Sequence, residues 1–233
     1  MDNKTPPFSG FRGRGLLFIG HKIIHTSIAT QLEKEYLMCA GPSFGLLGPT
    51  LSNTKRHNVF VSYHHRNDQQ YRDYFENLFA RHHDIMISKS VQIGDIDPNL
   101  KTDTIRQIIR DRHLRTSSVT VVLIGSETWK RKHIDWEIAA SIRETQYNSR
   151  SGLLGILLPT YPRNNPNKYY HKTIPPRLYD NINCGFATIH NWTEDPNTIS
   201  SWIHEAFKRR TQIRPDNSFP SFVNNRSGDG WQK

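Results

Sequence analysis

Two unbroken apolar runs, "VTVVLIG" (119–125) and "LLGILLP" (153–159), constrain this chain more than any other feature. A strand with one wet face alternates apolar and polar residues. These runs do not alternate, which predicts strands covered on both faces, as in a parallel sheet. Parallel neighbours need a crossover, and "HIDWEIAASIRETQ" (133–146) supplies one, with Ile134, Ile138 and Ile142 in a row at helical spacing.

The same alternation extends in both directions. "NVFVSY" (58–63) reads as a first strand, "DQQYRDYFENLFARH" (68–82) as a helix and "DIMIS" (84–88) as a second strand. A polar loop (90–103) leads into a helix over 102–113. "GFATIH" (185–190) reads as a fifth strand, and "PNTISSWIHEAFKRR" (196–210) as a closing helix whose start is marked by Pro196 and Asn197. Between the fourth and fifth strands, the proline-rich stretch 160–184 predicts irregular structure in place of a helix. The expected fold class is α/β: a five-stranded, mostly parallel sheet with helices on both faces, over residues 57–210.

The flanks differ. Residues 1–56 hold Pro6, Pro7, Pro42, Pro49 and a glycine cluster, which predicts a largely flexible extension with one short helix near 26–37. Residues 211–233 are turn-rich and predict a disordered tail.

Composition removes several function classes. No stretch approaches the roughly 20 apolar residues of a membrane span. "GLLFIG" (15–20) is short and lacks a cleavage site, so a cytoplasmic location is expected. Cys39 and Cys184 have the spacing of neither a disulfide framework nor a zinc site. His133 and Glu137 stand at i, i+4, but no third ligand follows at a metal-site spacing, so no metal is expected. No phosphate-binding glycine loop and no serine or cysteine nucleophile motif is present. The net charge of +10 is spread along helix-forming stretches, which predicts a modest preference for anionic ligands and no dedicated nucleic-acid surface.

In a doubly wound sheet of order 2-1-3-4-5, ligands bind beyond the carboxyl ends of the first and third strands. Those strands empty into "SYHHRND" (62–68) and "GSETWKRKH" (125–133), two polar loops that would face each other. At about 100° per residue, Glu137 falls at the border of the buried stripe of its helix. There it would be partly desolvated, while the helix N-terminus favours its ionised form.

"VFVSYHHRND", "SSVTVVLIGSETW" and "HIDWEI" together resemble the Toll/interleukin-1 receptor (TIR) domain, and more narrowly the bacterial TIR-like branch of the Thoeris anti-phage defence system. The resemblance spans about residues 57–210. It implies a flavodoxin-like fold and cleavage of NAD⁺ as substrate, with no cofactor, by a glutamate on the helix after the third strand. That glutamate falls at Glu137. It further implies closure of ADP-ribose into a cyclic isomer that activates a separate effector, an unidentified phage trigger, and assembly of like domains. Tyr63, His64, Ser126, Trp129 and His133 are the expected substrate-binding residues, and the 90–103 loop is the candidate lid. The family pattern W-x-x-x-E is broken here: His133 occupies the tryptophan position, with Trp129 and Trp136 as nearby aromatics. A non-catalytic TIR scaffold is the alternative from another class.

Overall fold

The computed structural model describes residues 56–81, 85–88, 100–146 and 148–232, and every structural statement below refers to them. The helix expected near 26–37 and most of the 90–103 loop lie outside these residues.

Five strands form one sheet: β1 His57–Ser62, β2 Ile85–Ser88, β3 Val119–Ile124, β4 Gly152–Leu157 and β5 Ala187–Asn191. Their order is β2-β1-β3-β4-β5 and every pairing is parallel, as the sequence predicts. The helices are α1 His65–Phe79, α2 Thr102–Ile108, α3 Lys132–Ser141, α4 Pro176–Asn183 and α5 Pro196–Gln212. A π-turn, Ile109–His113, extends α2, and a 3₁₀ turn, Thr128–Lys130, precedes α3.

The unbroken apolar runs are explained by two-sided burial. On one face Val121, Leu123, Leu154 and Ile156 pack with Phe75 and Phe79 of α1 and Ile199 and Ile203 of α5. On the other, Val122, Ile124, Leu153 and Leu157 meet Ile134 and Ile138 of α3 and Leu178 of α4. Phe60 adds a smaller cluster with Ile105 and Ile109 on that second side. Both faces of β3 and β4 are therefore dry, and each residue of both strands is buried. At α5, the Asp195 side chain accepts from the Asn197 and Thr198 amides at 3.1 Å, and Pro196 takes the first helical position.

Two expectations are corrected. The 160–184 stretch is not irregular throughout, because it contains α4. Pro176 sits at the start of that helix, where its missing N–H costs nothing, so the proline pair marks a beginning and not a break. The second correction concerns the expected disordered tail at 211–233. Helix α5 continues to Gln212, and residues 213–232 then run as a strap across α3 and α4. Phe219, Phe222 and Trp231 are buried with Trp129. The Trp136 indole donates to the Phe222 carbonyl at 2.8 Å, and the Trp231 indole to that of Ile174 at 2.8 Å.

The strap is fastened by a buried ion pair. Arg177 on α4 meets Asp135 on α3 at 2.9 Å, both side chains being 1% exposed. The guanidinium also donates to Asp135 Oδ2 at 3.4 Å, to the Asn217 backbone carbonyl and Oδ1 at 3.0 and 2.7 Å and to the Phe219 carbonyl at 2.6 Å, and the Phe222 amide donates to Asp135 at 3.0 Å. Among the described residues, no helix is long and apolar enough to cross a membrane.

Candidate functional site

The last residues of β1 and the first turns of α3 meet at the carboxyl end of the sheet, beside β3. Strand alternation sends Val61 to the α1 face and Ser62 to the α3 face. There the Ser62 hydroxyl donates to Glu137 Oε2 at 2.5 Å. Glu137 is 2% exposed, more enclosed than its border position on the helix predicts. The difference has a cause: α3 is walled by the sheet, by α2 and by the strap, so residues 134–141 are all buried.

Burial pushes the Glu137 carboxyl up to about 8, against the opposing pull of the Ser62 hydrogen bond. The expectation that the helix N-terminus favours the ionised form is not met. Glu137 is beyond the first turn, where the dipole has fallen off, and desolvation dominates. At neutral pH the resting acid holds its proton.

Histidines surround the approach. His133 lies one turn before Glu137 and hydrogen-bonds to the Tyr63 backbone. Its Nε2 is shielded from solvent, with no hydrogen-bond partner among the described residues. The ring is held at a pKa of about 4, chiefly by burial and then by His65. His64 is 5% exposed and likewise about 4, through burial and the Arg131 guanidinium. Its backbone carbonyl accepts from Asn67 and Asp68 and so starts α1, while its Nδ1 has no partner among the described residues. The His65 ring lies 5.7 Å from that of His133 and stacks on Tyr63 at 4.4 Å.

Not every expected residue gathers here. Tyr63 turns its ring to the α1 face and donates its hydroxyl to Gln69 at 2.6 Å. Ser126 is half-buried in the turn after β3. Trp129 is 2% exposed and packs against the strap residues Phe219, Phe222 and Trp231, so it forms part of the strap's hydrophobic seat. The sequence reading did not single out Ser62. Its signal was present as a lone hydroxyl ending an apolar strand at the switch point.

A second buried carboxylate, Asp68, is also unanticipated. It is fully buried on α1 and accepts from the hydroxyls of Thr160 at 3.2 Å and Thr128 at 3.4 Å. Burial raises its pKa, and these two hydroxyls oppose the rise. The Thr128 hydroxyl in turn accepts from the Gly125 amide at 2.8 Å, which ties the ends of β3 and β4 to α1. A Cβ at Gly125 would come 2.4 Å from Asp68 Oδ1, so only glycine admits this approach. Gly125→Ala is expected to lower stability by about 1–3 kcal/mol through overpacking. Urea denaturation measures it, and an unchanged midpoint would mean that Asp68 is not held against the strand end.

Cavities lined by described residues include two away from the switch point. One, of about 390 Å³, lies between the end of α1 and β2, with Arg56, Glu76 and Met86 in its wall. The other, of about 300 Å³, lies at the ends of β4 and β5 and includes Tyr169, His190 and Asn191. Glu137 lines neither.

Residues 60–163 match the family model described as Thoeris protein ThsB, TIR-like domain. No curated protein matches the sequence. Among solved structures, the chain is similar to the TIR domains of the activated Roq1 resistosome directly recognizing the pathogen effector XopQ. That similarity has 10% identity over 66% of this chain and 84% of that one, with a TM-score of 0.30. The match to ThsB ends before α4 and takes in the Glu137 helix entirely.

Proposed function

We propose that this TIR-like domain, related to Thoeris ThsB, cleaves NAD⁺ at the nicotinamide–ribose bond and closes the ADP-ribose into a cyclic isomer. That product would be a diffusible signal to a separate effector in anti-phage defence, made when copies of the domain assemble on a phage trigger. The observation that carries the reading is Glu137: a buried carboxyl, held by Ser62 at the carboxyl end of β1, on the helix that follows the third strand. Breaking an N-glycosidic bond puts oxocarbenium character on the ribose carbon, and a carboxylate in a dry site stabilises that charge strongly. Nicotinamide leaves neutral and needs no acid, which suits a site with one carboxyl at the reacting centre.

The resting acid is protonated and the chemistry needs the anion. The substrate itself resolves this, because its nicotinamide ring is a cation, and a cation brought beside a carboxyl favours ionisation. kcat/KM, which reports the free enzyme, is therefore expected to rise with pH towards about 8, while kcat stays level to lower pH. The test is NAD⁺ loss and product mass for the full chain and for Glu137→Gln under activating conditions. Loss of turnover in the variant supports the reading, and equal turnover overturns it.

A non-catalytic scaffold is favoured by one observation, the near-complete enclosure of Glu137. Wild type and Glu137→Gln that are equally inert with the trigger present would establish it.

A further inference from the structure

Glu137 and His133 stand one helical turn apart on α3 and grip consecutive residues at the end of β1. Glu137 takes the Ser62 hydroxyl, and His133 takes the Tyr63 backbone. His133 Nε2 is shielded from solvent and has no hydrogen-bond partner among the described residues. A buried polar nitrogen left unmatched is costly, so one held a helical turn from Glu137 calls for a partner that arrives later.

We propose that the resting His133 ring carries its proton on Nδ1 and that Nε2 accepts the proton of the nucleophile that replaces nicotinamide, as a second catalytic group of the reaction proposed above, on which this inference rests. The step balances. The C1′–N bond breaks and its electron pair leaves with nicotinamide. A hydroxyl or amine of water or of the ADP-ribose itself gives its lone pair to C1′, and its proton passes to Nε2 and then to solvent. The positive charge of NAD⁺ departs as that proton, and no oxidant or reductant enters.

The surroundings fit a base that must stay empty at rest. His65 and His64 face the ring from the start of α1, and Arg131 from the residue before α3; the Tyr63 backbone opposes them. Burial and these groups hold the imidazole neutral. A weak base suffices, because a hydroxyl that has attacked an oxocarbenium carbon is a far stronger acid than an imidazolium. An indole at this position could fill a similar volume but has no acceptor nitrogen.

His133→Gln tests it, since glutamine can still donate to the Tyr63 carbonyl but cannot take a proton. Turnover of NAD⁺ by the full chain is expected to fall at least about 100-fold. Azide attacks without a proton to lose, so it should restore turnover in this variant and yield the ribosyl azide. Glu137→Gln should gain nothing from azide, because bond cleavage itself is lost. If Glu137→Gln stays active, the parent reading fails. If His133→Gln alone stays within threefold of wild type, or azide does not rescue it, the present inference fails. Nitrogen NMR of the resting protein reads it without turnover. One imidazole should be a neutral Nδ1–H tautomer down to pH 5.5 and be absent from His133→Gln; a cationic ring or the Nε2–H tautomer at that residue overturns the proposal.

Discussion

Glu137→Gln is expected to gain stability relative to wild type as pH rises from about 4.5 to about 8, with the margin level above that. The folded carboxyl ionises near 8 and the unfolded one near 4.5. Between those values the unfolded chain releases a proton that the folded chain keeps, so wild-type stability declines as pH rises. Each pH unit is worth about 1.4 kcal/mol, which sets an upper bound of about 5 kcal/mol across the window. Glutamine has no proton to lose and can still accept from Ser62. Thermal melts of both proteins from pH 5 to pH 9 read the gap. Parallel curves would mean that the acid is not buried as described, and the electrostatic basis of the proposed reaction would go with it. A site whose key residue destabilises its own fold is expected where function and not stability has set the side chain.

The other large effect belongs to the strap. Arg177→Met is expected to cost about 3–5 kcal/mol, because it strands the Asp135 carboxylate inside the protein and leaves the Asn217 and Phe219 carbonyls without their donor. The double variant Asp135→Leu/Arg177→Met should recover part of that loss, since no charge is then left buried alone. Urea unfolding of the wild type, both single variants and the double variant isolates the coupling. Single and double variants equally destabilised, or an Arg177→Met loss under about 1 kcal/mol, would contradict the buried pair.

The sheet was legible because "VTVVLIG" and "LLGILLP" leave no polar face, and a strand of that kind has few places to go. The switch point between β1 and β3 followed from the strand order, whereas the Ser62 hydroxyl on Glu137 did not. The strap was not legible. Phe219, Phe222 and Trp231 have neither helical nor strand spacing, and their anchors are backbone carbonyls that any composition supplies. Asp135 and Arg177 are far apart in sequence, so neither reveals its partner. Trp129 was misread for the same reason: its neighbours come from a segment without periodicity. The full enclosure of Glu137 depends on that segment too, and a helical wheel for α3 alone can show only the border of its stripe.

Residues 213–232 are made by the ribosome after every element they brace. Until they emerge, Asp135 lacks its second fastening, Trp136 has no acceptor for its indole, and one wall of the Glu137 helix is missing. A nascent chain interrupted after α5 would carry the sheet and the acid without the enclosure that tunes it. Translation stopped there would thus leave a product with the architecture in place and the Glu137 helix open on one side, closed only once residues 213–232 follow.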